Sequence, residues 1–386
     1  MLLFKLFFKN PLRHRLRTAL TVLGITIAIL SFGMLRTIVD AWYAGVEASS
    51  TSRLVTRNSV SIIFPLPLSY YDKIRQIEGV KDVSYGNWFG GLYIDEKNFF
   101  ASFAIGVPET YFRIYPELVV PPDQEAAFAK DRRGALVGKK LAARYGWKVG
   151  DAVTLKGTIY PGDWDYVIRG VYSGRYRSTD ESQFLFHWDY LNETMKVRSS
   201  GRADQVGFYM LSLKKPDDAA DVARTMDAMF KNSLAETLTE SEKAFAQSFV
   251  SMTEAIVIAI KLVSFVVIFI IMAVAANTMA MTARERIGEY AIFKTLGFGG
   301  IYIAGMIFAE SMLVAGLGCA LGVGLTFPAA HAFAVKLSQW FPIFYVSPRT
   351  VYMQVAAALI IGLVAGIFPA WRAVRIRIAD GLRRVG

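Results

Sequence analysis

Cysteine, histidine and, over four long stretches, charge are scarce in this chain, and each scarcity removes a class of chemistry. A single cysteine, Cys319, in 386 residues excludes an internal disulfide. It lies in an apolar run and reads as a small packing residue. Three histidines, His14, His187 and His331, form no spaced metal pair with one another or with the cysteine. His14 belongs to a basic terminus, His331 follows Pro328, and His187 in FLFHWDY reads as a locally bonded or solvent-facing ring. No G-x-S-x-G is present. In GALVGKKL, Gly134 and Gly138 stand one residue too close for a phosphate loop, and no Ser or Thr follows the lysine pair. The Asn192 sequon is of a kind common by chance. Nothing here supplies a nucleophile, a metal cage or a nucleotide site, so the expectation is a chain that is not itself an enzyme and holds no cofactor.

What is abundant is apolar surface. The apolar share is 54% and the mean hydropathy +0.35, against an ordinary soluble share of about 45–50%. Thr18–Leu35 has no charge and at 1.5 Å per residue is about 27 Å long, close to a hydrocarbon core of about 30 Å. Ala255–Met281 carries only Lys261, and at about 40 Å its start is expected to project or snorkel. Ile301 to about Val335 carries only Glu310 and is expected to be bent or ended by Pro328. Val351–Ala370 has only Gln354 as a strongly polar residue.

Four spans put both termini on one side. Lys5, Lys9, Arg13, Arg15 and Arg17 precede the first span without an acid, and Arg372, Arg375, Arg377, Arg383 and Arg384 follow the last against Asp380 alone. Arg284, Arg286 and Lys294, between spans two and three, share that side. The loop between spans three and four has only Lys336 and Arg349. All three basic segments therefore read as cytoplasmic. The net charge of +11 follows from topology, and nucleic acid is not needed to explain it. The first run has the basic start and apolar middle of a signal peptide, but RTIVDAWY continues it as a helix without a small-x-small cleavage site.

The predicted organisation is a cytoplasmic basic segment 1–17, a span 18–40, an extracytoplasmic α+β domain 41–250 with stalk helices at both ends, a span 251–281, a cytoplasmic coupling helix 282–300, a span 301–330, a short outer loop 331–350, a span 351–371 and a cytoplasmic tail 372–386. Within the inserted domain, strands are expected over Leu54–Phe64, from Gly79, and at FASFAIGV. Arg133–Gly146 reads as strand then helix, VGDAVTLKGT and WDYVIRGVYSG as a β-rich piece, and VGFYMLSL as a strand before a helix over Asp217–Phe230. Pro67–Ile77 reads as a helix and Ser233–Thr253 as a polar helix.

Three features could carry function. Glu310 is costly alone in lipid, so it should face other helices or a partner. Gly318-x-x-x-Gly322 and Gly362-x-x-x-Gly366 allow close helix approach, within the chain or to a second copy. Thr282–Leu296 reads as a short charged helix ended by Gly297 or Gly299, with Arg286 and Glu289 on one face. It is either a solvated loop helix or a docking helix that takes force from a soluble partner.

These residues also resemble a family. Arg286-x-x-Glu289 followed by Lys294-x-Leu296-Gly297 is similar to the cytoplasmic R-x-x-E-I-G-I-L-R-A-L-G motif of MacB/FtsX-type ABC-transporter permeases. Gly366-Ile-Phe-Pro369-Ala370-Trp-Arg372-Ala373, closing on Leu382-Arg383, resembles the family's G-x-x-P-A-x-R-A…L-R. Gly79-Val80-Lys-Asp-Val83, Ile105-Gly106-Val107 and Gly150-Asp151…Gly170-Val171 resemble the MacB periplasmic core domain. Ala291, Lys294 and Thr295 depart from the motif's glycine, arginine and alanine, and Ile378 from the tail's usual proline. The resemblance covers nearly the whole chain in order. It implies a multi-pass inner-membrane permease, homodimeric or paired with a second permease. It implies a separate cytoplasmic ATPase that holds ATP and Mg and contacts Arg284, Arg286, Glu289, Tyr290, Lys294, Leu296 and Gly297. It also implies mechanotransmission to the outer domain, and with it a periplasmic adaptor and an outer-membrane duct, for efflux of an amphiphilic substrate. The alternative it leaves open is an FtsX-like complex that activates a cell-wall hydrolase without transport.

Overall fold

A computed structural model describes residues 15–375 apart from 338–340 and 342. The basic residues Lys5, Lys9, Arg13, Arg377, Arg383 and Arg384, and the tail residues Ile378 and Leu382, lie outside the described residues. The described chain divides into two compact units, one holding the helices of the predicted spans and the other the domain inserted between the first and second of them.

Four helices have the length and apolar character to cross a membrane: Arg15–Ala48, Glu254–Glu285, Gly300–Lys336 and Pro348–Arg375. Each is longer than its uncharged run, because polar flanking residues continue the same backbone hydrogen bonding beyond the lipid. The first, third and fourth pack together. Ile25 and Ile29 of the first, Val314, Ala315 and Cys319 of the third, and Ala358, Ile361 and Ala365 of the fourth are buried in one cluster. The second differs in degree: it adds buried Ala275 and Met279 to that cluster. Only 11% of its most apolar window is buried, against 44% for the third, so most of this all-round apolar helix faces outward, as a lipid-facing helix does.

The close approach of the first and third helices depends on Gly318 and Gly322. A Cβ on Gly318 would stand 2.6 Å from Ile25, and one on Gly322 would stand 2.8 Å from Ile29. Gly362 and Gly366 do the same between the fourth helix and the third, at 2.8 Å from Met312 and 2.7 Å from Phe308. Both glycine pairs are therefore filled inside one chain, and a second copy is not what they contact. Pro328 neither ends nor replaces the helix it lies in, which runs on to Lys336. One lost hydrogen bond costs less than unwinding a segment whose backbone has no water to turn to.

The inserted domain is an α+β unit on an eleven-stranded mixed sheet. Its strands are β1 (Arg53–Asn58), β2 (Leu66–Pro67), β3 (Val80–Trp88), β4 (Gly91–Leu92), β5 (Ser102–Ile105), β6 (Leu118–Val119), β7 (Gly134–Gly138), β8 (Ala152–Gly157), β9 (Gly162–Gly174), β10 (Phe184–His187), β11 (Gln205–Val206), β12 (Phe208–Leu213) and β13 (Thr237–Ser241). The order is β13-β1-β12-β3-β5-β10-β7-β9-β8-β4, with β6 on β9, and β2 pairs β11 apart from it. The contacts of β10 with β5 and of β7 with β9 are parallel, and the remaining pairings are antiparallel. In β8 and β9 buried residues alternate with exposed ones, the half-buried pattern that makes a strand readable from sequence. β7 and β10 are buried throughout, as central strands covered on both faces are.

Three expectations are corrected here. The first strand stops at Asn58 rather than Phe64, because the Asn58 side chain accepts the Val60 amide at 3.0 Å and turns the chain. The helix expected over Pro67–Ile77 is confined to Tyr70–Ile74, since Leu66–Pro67 pairs with β11. Residues 237–241, read as helical, form the edge strand β13 on β1. Their alternating threonines suit a pleated edge, and the helix begins only at Glu242. The helices Pro108–Ile114 and Pro122–Lys130 were not anticipated.

Candidate functional site

The short helix expected over Thr282–Leu296 is divided between the end of the second spanning helix and a separate short helix. The second helix ends at Glu285, the chain turns at Arg286, and a short helix occupies Ile287–Thr295. Gly297 closes it with φ +89°, a left-handed conformation that glycine adopts without strain. Glu289 lies in its first turn and Lys294 in its last, complementing the helix dipole.

Arg286 is the centre of the site. Its Nε donates to Glu289 at 2.9 Å and its Nη1 to Glu310 at 2.6 Å, while the guanidinium lies 5.5 Å from the centre of the Tyr290 ring. Arg286 is buried, at 9% exposure. Desolvation alone would lower its pKa, but Tyr290, Glu310 and Glu289 around it outweigh that and hold the guanidinium charged. Burial pushes the Tyr290 hydroxyl up to about 12, so it stays neutral. Glu310, unexplained in the sequence as a charge within a span, is thus one half of an ion pair that fixes the short helix to the third spanning helix.

Further contacts hold the rest. Tyr290 packs in an apolar cluster with Ala283, Ile303, Ile307, Ala370 and Ala373, drawn from three spanning helices. Lys294 Nζ donates to the Val374 carbonyl at 2.7 Å, near the negative end of the fourth helix. Arg17 meets Glu285 through two hydrogen bonds of 2.7 and 2.8 Å, joining the first helix to the second. The third and fourth helices are thus tied to this segment directly, and the first to the end of the second.

The seven residues expected to meet a partner differ in exposure. Arg286 and Tyr290 are buried and Lys294, half-buried, donates to a backbone carbonyl of the fourth helix, so within this chain these three build the clasp. Glu289 is half-buried on Arg286. Arg284, Leu296 and Gly297 are exposed. Beside them stand Ile292 and Phe298, at 45% and 37% exposure, which the motif alone did not single out. The spacing of Ile292 and Leu296, four apart in a charged segment, is the signal that could have found them. Ile292, Leu296 and Phe298 thus form an exposed apolar knob at the end of this segment.

Elsewhere the chemistry is structural. His187 Nε2 donates to the Phe128 carbonyl at 2.7 Å and its ring stacks on Phe128 at 4.1 Å. Burial pulls its pKa down, so the ring is neutral and locally bonded. Gly138 admits no phosphate, because even a Cβ there would lie 2.1 Å from the Glu181 carbonyl oxygen. Asn192 donates to Asp204 at 2.9 Å from within a helix. Among the described residues no group of three or more metal-ligating side chains converges.

Comparison with known proteins completes the assignment. A family model described as MacB-like periplasmic core domain matches residues 18–229, and one described as FtsX-like permease C-terminal matches residues 261–378. The chain belongs to the MacB/FtsX-type ABC-transporter permeases. It is 23% identical to an ABC transporter permease of Methanocaldococcus jannaschii, over 97% of this chain and 96% of that one. It is 22% identical to the macrolide export ATP-binding/permease protein MacB of Photorhabdus laumondii, over 96% of this chain but 59% of that protein. The periplasmic region of MacB from Actinobacillus actinomycetemcomitans is 10% identical, with a TM-score of 0.38, over 53% of this chain and 95% of that one.

The clasp lies within the FtsX-like part, and the sheet domain, apart from its edge strand β13, within the MacB-like part. The permease is a multi-pass membrane protein whose large α+β domain is inserted between its first and second transmembrane helices.

Proposed function

We propose that this chain is the transmembrane subunit of a MacB-like ABC exporter, in which a separate ATPase grips the Ile287–Thr295 helix from the cytoplasm. Hydrolysis there moves the inserted domain, on the outer side of the cytoplasmic membrane, to export or extract an amphiphilic substrate. The observation that carries this reading is the Arg286–Glu310 ion pair of 2.6 Å. It makes the short helix and the third span one rigid piece, so a push on the exposed Ile292–Leu296–Phe298 knob moves a membrane helix instead of deforming a loop. The ATPase supplies ATP and Mg; this chain supplies the lever. The basic flanks support a cytoplasmic side for the clasp and both termini. The partner permease is a second copy, and an adaptor with an outer-membrane duct would receive the substrate.

Two variants separate gripping from transmission. Leu296→Asp should abolish recovery of the ATPase with the full-length chain by affinity capture. Glu310→Gln should leave capture intact while uncoupling substrate-stimulated ATP hydrolysis in reconstituted vesicles. Normal capture with Leu296→Asp overturns the docking assignment. Co-purification of a cell-wall hydrolase, with hydrolysis that responds to no amphiphile, favours the FtsX-like regulatory alternative instead.

A further inference from the structure

Gln354, the strongly polar residue of the fourth span, lies at a junction of three helices. It is fully buried, as are Thr326 and Thr350. Its Nε2 donates to the Ile29 carbonyl of the first helix at 2.9 Å and to the Thr326 hydroxyl of the third at 2.9 Å. The Thr326 hydroxyl in turn donates to the Gly322 carbonyl at 2.8 Å. Room for the amide comes from Gly33, where a Cβ would run into Gln354 Nε2. A second tie joins the first and fourth helices further along. One carboxylate oxygen of Asp40, on the first helix, accepts from the Ser347 hydroxyl at 2.8 Å and the Thr350 hydroxyl at 2.9 Å. The other lies 3.2 Å from Arg36 Nε. Ser347 Oγ accepts the Thr350 amide at 3.1 Å and so caps the start of the fourth helix.

These ties act differently from the apolar packing around them. Buried apolar side chains hold helices together without fixing where along the axis they meet, and packed helices slide past one another by small shears. A hydrogen bond has a set length and direction, and breaking it away from water leaves a polar group with no partner. Slippage of the first helix would strand the Gln354 amide and the Asp40 carboxylate together. The tied positions on the first helix, Ile29 and Asp40, are about 16 Å apart at 1.5 Å per residue, so the pair resists tilting as well as sliding. That helix ends at Ala48, and β1 of the inserted domain begins at Arg53.

We propose that Gln354 and Asp40 are positioning residues that lock the first spanning helix in register with the fourth and, through Thr326, with the third. Displacement of the third helix at the Arg286–Glu310 clasp then carries the first helix with it, and the first helix leads into β1. Use of the lock as a link in that path rests on the proposed function; the lock itself is a property of this chain alone.

The test uses the full-length chain, with Cys319→Ala as background, in vesicles of phosphatidylethanolamine and phosphatidylglycerol. Spin labels are placed at Ile27→Cys and Tyr352→Cys, positions 54% and 75% exposed on the first and fourth helices. Labelled chains are diluted with unlabelled ones, so that pulsed electron resonance reads distances within one chain. With the ties intact the labels should give one narrow distance. Gln354→Met, which keeps the volume and removes both donated bonds, should broaden or shift it. Asp40→Ala should do the same, and the two together should do more. Gly33→Ala, which displaces the amide without replacing it, should reproduce the Gln354→Met result and decides the matter if that variant does not fold. A distance that stays as narrow in these variants as with the ties intact overturns the lock, whatever the fall in melting temperature. With the ATPase bound, the intact chain should give the same distance in the nucleotide-free and ATP–vanadate states, and a change between them overturns the lock as well. Failure of the ATPase to bind counts against the proposed function and leaves the comparison of variants to decide the lock.

Discussion

Arg286 is held by two carboxylates, Glu289 at 2.9 Å and Glu310 at 2.6 Å, and the two are not equivalent. Glu289 is 38% exposed on its side chain and Glu310 only 13%, so the Glu310 bond is the less screened by water. Losing one charge-assisted bond costs about 1.5–3 kcal/mol. Glu310→Gln should therefore lower thermal stability in detergent by that amount, and Glu289→Gln by less. Replacing both partners with apolar residues, Arg286→Met with Glu310→Leu, should recover most of the stability while ATP hydrolysis stays uncoupled from substrate. Recovery of both would show the pair to be packing alone. His187 gives a second prediction. Its pKa is depressed in the folded state by burial, so the unfolded chain binds the proton more readily. Its contribution is fully present above the unfolded value of about 6.5 and is lost as pH falls below it. The inserted domain should melt lower at pH 5.5 than at 7.5, and His187→Gln should flatten that dependence; an unchanged slope would remove His187 as its source. A third residue, Arg53, is invisible in any motif yet contacts Glu242 at 2.7 Å, Glu117 at 2.8 Å and the Tyr115 ring at 4.5 Å. Arg53→Met strands two carboxylates and should destabilise the inserted domain by about 3–5 kcal/mol, read as a lowered melting temperature.

At the scale of elements, the glycines of the third helix show how position overrides composition. Gly316, Gly318 and Gly322 lie within seven positions of one another, and sequence spacing marked the last two as a pair. Only the packed helices show that Gly318 and Gly322 are filled by Ile25 and Ile29 while Gly316 is open. Gly318→Ala should cost about 1–3 kcal/mol, because the first helix must move off a Cβ placed 2.6 Å from Ile25. Gly316→Ala, in open space, should gain stability from the better helix propensity of alanine. Thermal denaturation of the two single variants checks the ordering, and the reverse order would mean the helices meet through another face. β13 illustrates the opposite error. Residues 233–253 carry enough polar helix formers to suggest one continuous helix, but the pairing of Thr237–Ser241 with β1 is a contact far away in sequence. Local propensity had no access to it.

For the whole molecule, the two units differ in how far they can be read in advance. The spans were legible because lipid imposes a single rule, an apolar helix long enough to cross, and Thr18–Leu35 or Val351–Ala370 satisfies it without reference to any neighbour. Topology makes its own prediction. With Cys319→Ala as background, an impermeant maleimide should label Ile63→Cys, exposed in the inserted domain at 85%, on intact cells. Leu296→Cys should react only after permeabilisation, and the reverse pattern would invert the orientation. The alternating strands β8 and β9 could be read directly, whereas the fully buried β10 could not, since a short apolar run carries no period. By itself the sequence determined the number of spans, the class of the inserted domain and the charged segment that joins spans two and three, because each follows from local hydropathy and charge. Tertiary structure alone decided that Glu310 reaches Arg286, that Tyr290 and Lys294 turn inward while Ile292 and Phe298 turn out, and which glycines are filled. Those depend on distances between helices far apart in the chain, which no local pattern encodes.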